Sequence, residues 1–432
     1  MIVNFSLSNA FSFSGVHNLS ALAVSSSKDD INQVNVMHVG GDRILKSALI
    51  FGANASGKSN LIKTLSLMKD IVLNSVQSID GSVSKNVAPF ILDENGPLKP
   101  SEMEVVFYSE KTKYRYGISV MKGVIVEEWL YYTPSNRETM LFERNGKTID
   151  INKAGFVESM FFVKDGEIQK TRDDVPFVSV LAGFNGEHSN KIVDWFKNIV
   201  VLSGAHEEMF SAITVKLLNE SDDFKIWLKK ILPAFQINDI FLEEFEGDAP
   251  FNDIKTNDSN LLEFFSSIKK LTRNHKVFSI RVVKKTTTGE ITVPLDFESD
   301  GTKKIVALLG PIYNAIKNGN LLLIDEFDSK FHTLLSKYLF RLFHEQSESG
   351  SQIFAAVQDI NLMCTDCFRR DQIWFVDKDV KTGGSNLYSL VEYKEKQRSL
   401  KDSYGQDYLN GAFGAIPLFE NPEDIEKAMG GE

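Results

Sequence analysis

Gly52-Ala-Asn-Ala-Ser-Gly57-Lys58-Ser59 decides how this 432-residue chain is read. The stretch fits G-x-x-x-x-G-K-[ST]. Its glycines let backbone N–H groups curl around phosphate oxygens, its lysine reaches the β- and γ-phosphates, and its serine hydroxyl ligates Mg²⁺. Gly52, Asn54, Ala55, Ser56, Gly57, Lys58, Ser59 and the following Asn60 are therefore the candidate nucleotide contacts. The context agrees. Ala48-Leu-Ile-Phe51 is a short apolar run that reads as a buried strand, and residues 59–78 place Leu61, Leu65, Met68, Ile71 and Val72 on one helical face. A helix at that position aims its N-terminal dipole at the bound anion.

Far downstream, Leu321-Leu-Leu-Ile-Asp325-Glu326 has the form of a strand buried on both faces and ending in acids. Ligands of open α/β sheets bind at that end of the strands. Asp325 is suited to hold Mg²⁺ through water, and Glu326 to polarise an attacking water. Asp328 either extends the acidic cluster into catalysis or caps the next helix. A third element, Glu298-Ser299-Asp300-Gly301-Thr302, lies just before a helix with Ile305, Leu308, Leu309 and Ile312 on one face, and Ser299 stands 26 residues before Asp325. Ser299 and the first free N–H groups of such a helix present donors to an anion.

Working outward, residues 1–50 read as short strands. Residues 100–135 read as antiparallel strands (Glu104–Tyr108, Tyr114–Ile118, Val124–Trp129), and residues 140–175 as further hairpins. From residue 187 to about 272 the apolar residues recur at helical spacing: Ile192, Trp195, Phe196 and Ile199; Phe224, Trp227, Leu228 and Ile231; Leu261, Phe264, Phe265, Ile268 and Leu271. From 302 to 376, helices alternate with buried strands, the pattern of a parallel α/β sheet. The expected division is an N-terminal ATPase lobe over 1–186, an inserted helical subdomain over 187–276, and a C-terminal ATPase lobe over 277–432. There is no internal repeat.

The net charge of −10 disfavours a protein that coats nucleic acid or an anionic membrane with its whole surface. Basic residues gather only modestly, at Arg281, Lys284 and Lys285, at Lys303 and Lys304, and at Arg369 and Arg370. No apolar run approaches the ~18 residues of a membrane span, and the N-terminus lacks a signal-peptide pattern, so a cytoplasmic location and no membrane partner are expected. The two cysteines, Cys364 and Cys367, form a single CxxC. That is too few ligands for a structural zinc site and reads as two incidental thiols or a redox pair. Asp377-Lys-Asp379 reads as a solvated strand end rather than a nuclease metal pair.

P-loop, degenerate LSGGQ-like signature, then apolar strand ending in Asp-Glu is the order of ABC-type ATPases. The chain resembles the RecF/SMC-like branch, and most of all the AAA-labelled abortive-infection ATPases related to OLD proteins. The stretches that carry this are Leu7-Ser-Asn9-Ala-Phe-Ser-Phe13, Phe51–Asn60, Glu298–Thr302, Asp325-Glu-Phe-Asp-Ser-Lys-Phe-His332, Arg369–Val376 and Tyr408–Pro417. They cover about residues 1–110 and 277–417. The resemblance implies an α/β ABC-type P-loop head, with mixed β plus a parallel sheet flanked by helices. Two heads would pair head to tail around two Mg-ATP, with Ser299, Asp300, Gly301 and Thr302 serving the nucleotide held by the other subunit's P-loop. His332 is either a γ-phosphate or interface contact, as in those relatives, or a half-buried polar helix residue. Two departures stand out. Phe11 occupies a position that is usually basic, with Arg43 or Lys46 as substitutes. Gln358 ends the switch strand where a His is usual, and it can donate a hydrogen bond but carries no proton. Slow hydrolysis is expected, below the ~10 s⁻¹ typical of enzymes.

With no effector chemistry of its own in the motifs, the chain is expected to act through a separately encoded partner, a nuclease or toxin in phage defence, as a homodimer or larger oligomer. A DNA-repair or chromosome-associated head acting on DNA, and a nucleotide-bound scaffold with little turnover, are the alternatives.

Overall fold

The computed structural model describes residues 1–25, 33–78, 81–135, 137–203, 207–246, 276–347, 350–393 and 404–417. Its centre is the strand Ser47–Phe51, buried at every position. It lies between Gln352–Ala356 and Ile373–Lys378 and is parallel to both. The sheet continues from Gln352–Ala356 to Leu321–Ile324 and then to Ile199–Leu202, again in parallel. Ser385–Ser389 closes the other edge antiparallel. Short apolar runs suit this sheet because both of its faces are covered, and the alternation expected over 302–376 is what forms it.

A second, nine-stranded antiparallel sheet holds Ile2–Ser8, His17–Ser20 and the hairpins from Ser101 to Ile168. Its strands alternate buried and exposed residues, as in Ser101–Ser109. Phe5, Phe107, Phe142, Phe156, Phe177 and Phe196 join one core beneath it. The helix Lys58–Asn74 buries Leu61, Leu65, Met68, Ile71 and Val72 as its spacing predicts.

Residues 187–276 hold the helices Glu187–Lys197, Glu207–Glu220 and Asp222–Ile231, as the periodicity suggests. They also hold two strands that helical spacing does not reveal. Ile199–Leu202 belongs to the central sheet, and Asp239–Glu246 pairs with Lys276–Thr286. A four-residue strand is too short to register against a 3.6-residue period. Leu261, Phe264, Phe265, Ile268 and Leu271 lie outside the described residues.

The helix Asp300–Asn318 contains Pro311, which has no N–H to offer the carbonyl of Ala307. Thr214 Oγ1 fills the gap. It lies 3.0 Å from the carbonyls of Val306 and Ala307 and accepts the Gly310 N–H at 3.1 Å. A Cβ on Gly310 would meet Thr214 at 2.5 Å, so the two helices can approach this closely only at a glycine.

The N-terminal edge of the central sheet is a buried polar lock. Gln372 Nε2 donates to Ser47 Oγ at 2.7 Å, and Ser47 Oγ meets His344 Nε2 at 2.9 Å. Lys46 Nζ donates to the His344 carbonyl at 2.6 Å. Burial, with Lys46 adding repulsion, pushes the His344 imidazole down to about 3. A base depressed in the folded state destabilises the fold wherever the unfolded chain binds the proton and the folded chain does not. Stability contributed by neutral His344 is thus intact above about pH 6.5 and is lost as pH falls from there toward 3. Urea unfolding of the wild type should show a slope between pH 6 and 4 that is steeper than that of His344→Gln by about 1.4 kcal/mol per pH unit. Equal slopes would remove His344 from the account.

Candidate functional site

At the C-terminal end of Ser47–Phe51 the chain turns through Gly52, Ala55 (φ 60°) and Gly57 (φ 117°) before entering the helix at Lys58. A Cβ on Gly57 would sit 2.3 Å from Ser385 Oγ and 2.7 Å from Ser12 Oγ. These two serines clasp the loop. Ser385 Oγ donates to the Ser56 carbonyl at 2.5 Å and accepts from the Ser12 hydroxyl at 2.8 Å, and Asn60 Nδ2 donates to Ser12 Oγ at 2.9 Å. The Lys58 ammonium rests on the carbonyls of Gly52 (2.7 Å) and Ala53 (3.0 Å). Ser56 Oγ is buried without a hydrogen-bond partner and is a spare donor within the loop. Positive-φ turns, a helix N-terminus, a buried ammonium and an unpaired hydroxyl fit a polyphosphate.

The acids arrive from the neighbouring strands. Burial lowers the Lys58 pKa from the usual lysine range, while the carboxylates of Asp325, Asp328 and Glu326 act on it in the opposite direction, in that order of strength. The structure therefore brings Lys58, Asp325 and Glu326 together across the sheet, with Asp325 half-buried and Glu326 exposed. Glu326 adopts φ 53°, a left-handed conformation that costs a non-glycine residue ~1 kcal/mol or more. Lys304 holds that turn. It is 3% exposed, and its Nζ donates to the carbonyls of Glu326 (2.6 Å) and Ser329 (3.0 Å).

Asp328 does not cap the next helix. Its Oδ2 accepts the backbone N–H of Gln358 at 2.7 Å and that of Asp359, fixing the turn that carries the switch residue. The Gln358 side chain is left exposed at the sheet's C-terminal edge. His332 is exposed rather than half-buried, and it caps the helix Thr333–Gln346 by accepting the Leu334 N–H at 3.2 Å.

Ser299 caps the helix Asp300–Asn318, accepting the Thr302 N–H at 3.2 Å. Within one chain, this signature turn contacts the acidic loop. Asp300 pairs with Lys330 at 3.9 Å, and a Cβ on Gly301 would meet the Lys330 carbonyl at 2.8 Å. Lys46 is not a substitute for the missing cation at Phe11, because it lies in the polar lock at the opposite end of the strand from the P-loop. Arg43 lies in the hairpin Val36–Leu45, which precedes that same end. Phe11 itself gathers a cation, with Lys63 of the P-loop helix 4.6 Å from its ring centroid. Asp379 is spent on a turn, accepting the N–H groups of Lys381 and Thr382.

The sequence reading missed Ser12, Ser385 and Lys304. Nothing in the sequence marks the serines. Lys304 had a signal, since it is a charge inside the apolar stripe of Ile305, Leu308 and Leu309. A cavity of about 700 Å³ opens on the nine-stranded sheet, lined by residues such as Glu104, Arg115, Trp129 and Glu143, and contains none of the motif residues.

P-loop, signature helix and acidic strand, arranged on a parallel sheet beside a large antiparallel one, define an ABC-type P-loop ATPase head. The chain belongs to the family described as "AAA domain, putative AbiEii toxin, Type IV TA system", whose model matches residues 47–168 and 197–363. No curated protein matches it. Solved structures similar to it include an SMC head bound to the C-winged helix domain of ScpA (15% identity, TM-score 0.44, covering 90% of this chain and 97% of that one). Others are the SMC head domain from Thermotoga maritima (13%, 0.41, 90% and 98%) and an SMC head with an extended coiled coil bound to the C-terminal domain of ScpA from Pyrococcus furiosus (13%, 0.40, 90% and 96%).

Lys304→Met should leave nucleotide affinity within about twofold and lower kcat about tenfold, the equivalent of ~1.4 kcal/mol of lost positioning of Glu326. Steady-state turnover alongside equilibrium nucleotide binding separates the two. An unchanged kcat would show that the clamp does not position Glu326.

Proposed function

We propose that this chain is a slow, Mg-ATP-dependent regulatory ATPase. Two copies would pair head to tail around nucleotide, and the nucleotide state would be passed to a separately encoded effector, a nuclease or toxin, in defence against phage. The observation that carries the ATPase reading is the strand register, which ends the P-loop strand and the acidic strand within two residues of each other at one end of the parallel sheet. Bound Mg-ATP supplies the anhydride whose terminal phosphoryl group goes to water. Lys58 and the P-loop N–H groups hold the phosphates. Ser59 would ligate Mg²⁺ and Asp325 would hold it through water, and Glu326 would orient the attacking water and take its proton. Gln358, set by Asp328, offers a neutral hydrogen bond where a protonatable group would be faster, in keeping with a switch rather than a motor.

Ser299–Thr302 would serve the partner copy's nucleotide. Lys304 supports this coupling, since it joins the signature helix to the carbonyl of the catalytic Glu326. Closure over one nucleotide would then be felt at the other.

A protein effector is favoured over DNA because five of the seven basic candidates, all but Lys285 and Lys303, are engaged within the chain. Arg281 pairs with Glu243, Lys284 with Glu298 at 2.7 Å, and Arg369 with Asp371 at 2.7 Å. Arg370 donates to the carbonyls of Leu390 and Tyr393. The family's description as a toxin of a type IV system supports the defence context. No helix among the described residues is long and apolar enough to cross a membrane.

Glu326→Gln should retain ATP, lose turnover by about 10²-fold or more, and show the mass of a dimer or larger assembly only with ATP. Wild-type turnover in that variant would sink the general-base assignment. Lys58→Ala should abolish nucleotide binding in equilibrium dialysis, and unchanged affinity would remove it from the phosphate site. Purifying the chain with its neighbouring gene product, with and without ATP, tests the effector. Salt-dependent DNA binding that stimulates turnover would favour the chromosome-associated reading instead.

A further inference from the structure

The switch segment continues from Gln358 into a turn that holds both cysteines. Its backbone is fixed from several sides. The Phe368 N–H donates to the Cys364 carbonyl at 3.1 Å, the Tyr404 N–H to the Met363 carbonyl at 3.1 Å, and Asn35 Nδ2 to the Cys367 carbonyl at 2.9 Å. Within this turn Cys364 Sγ, Cys367 Sγ and a carboxylate oxygen of Asp366 all lie within 4.8 Å of one another. Both thiols are nearly covered, at 8% and 9% exposure, while the Asp366 side chain is 63% exposed and pairs with Lys337 at 3.9 Å.

Three ligands are one short of a structural zinc site, and the Lys337 ammonium beside them opposes a dication. The same ammonium favours a thiolate. We propose that Cys364 and Cys367 form a thiol–disulfide exchange site, with Cys367 as the attacking sulfur and a low-molecular-mass disulfide as its substrate. Near-complete burial of both sulfurs admits a thin, small disulfide more readily than a protein one.

The bond between the two thiols assigns the roles. Donated by Cys364, it lowers Cys367 to about 7, with Lys337 and Arg341 acting in the same direction against burial and Asp366. Cys364 is pushed up, by that same bond first and by burial next, against a hydrogen bond from Lys337 that acts in the other direction. Cys367 thiolate attacks one sulfur of RSSR. That S–S bond breaks, RS⁻ leaves, and a mixed disulfide forms on Cys367. Cys364 then gives its proton to the adjacent Asp366 carboxylate, and from there to solvent. Its sulfur attacks Cys367 Sγ, the mixed disulfide breaks, and a second RS⁻ leaves. The protein dithiol loses two electrons and RSSR gains two. Side-chain rotation must bring the sulfurs to the ~2.05 Å of a disulfide, which an i, i+3 pair in one turn allows.

The full-length chain incubated with oxidised glutathione should lose two hydrogens by intact mass and yield a Cys364–Cys367 cross-linked peptide. Cys364→Ser should accumulate a single glutathionyl adduct on Cys367, at least tenfold faster than Cys367→Ser gains one. On the unmodified sequence, the pH profile of iodoacetamide labelling at Cys367 should have its midpoint near 7 when folded and near the ~8.5 of an ordinary thiol in denaturant. Thiols that stay reduced, equal adduct formation in the two variants, a folded midpoint at the ordinary value, or one equivalent of zinc held by the pair would each overturn the proposal.

Discussion

Gln352, fully buried, grips the main chain of two other strands. It accepts the Ile2 N–H at 2.6 Å and donates to the carbonyls of Ile2 (3.0 Å) and Leu45 (2.9 Å). These bonds stitch the first strand of the antiparallel sheet to the N-terminal edge of the parallel one. Each such backbone group, if left buried and unpaired, would cost ~1–3 kcal/mol, so the grip sets the level at which the parallel strands begin. Register then carries that level to the other edge. Ile324 lies opposite Ala355, and Ala356 opposite Ile50, so Gly52 and Gln358 emerge level with each other and Asp325 two residues below them. The site depends on this alignment, because residues separated by some 300 positions in sequence meet only if the strands start together.

Polar groups at one edge and phosphate chemistry at the other divide the labour of the sheet. The starting edge holds Lys46, Ser47, His344 and Gln372 in linked hydrogen bonds, with Gln352 on the main chain of Ile2 and Leu45. The finishing edge has glycine turns, a helix N-terminus and carboxylates. Lys304 then adds a link that sheet geometry alone does not supply. Its ammonium holds the left-handed turn at Glu326, a conformation the local chain would not choose, and it extends from the helix whose first turn is the signature. A displacement of that helix along its axis must move the Glu326 carbonyl or break a buried bond to a charged group, worth ~1.5–3 kcal/mol. Pro311 and Gly310, with Thr214 wedged against them, hold the same helix one to two turns further along.

What was legible in the sequence follows from chemistry that sits in short contiguous stretches. The P-loop, the apolar strand ending in Asp325-Glu326, the helix after Lys58 and the antiparallel hairpins of 101–133 each announce themselves by spacing or composition. Ile199–Leu202 did not, because a four-residue strand flanked by helices inherits their periodicity. Asp328 was read as a cap or a catalyst because both readings use neighbours in sequence. Its partners are the amides of Gln358 and Asp359, thirty residues away, and nothing local points to them. Ser12 and Ser385 were illegible for the same reason, since a serine that braces a loop across the fold has no pattern.

The net charge takes on a different meaning once the pairs are placed. A surplus of carboxylates argues against a surface that coats nucleic acid or an anionic membrane as a whole. Inside the structure, however, lysines and arginines are consumed selectively: Lys46 by a carbonyl, Lys304 by two carbonyls, Arg369 and Arg281 by carboxylates. Lys58 also leans on two carbonyls that hold no net charge, but these belong to the P-loop itself, and its burial makes the bare ammonium costly. A polyphosphate offers that ammonium a stronger partner than the carbonyls do, and the same phosphates need a cation between them and Asp325. The Mg²⁺ proposed for this site fits the local charge balance as well as the motif. With the acids and the lysine facing one another, nucleotide without metal would meet Asp325, Glu326 and Asp328 as repulsion, and the site is complete only when both arrive together.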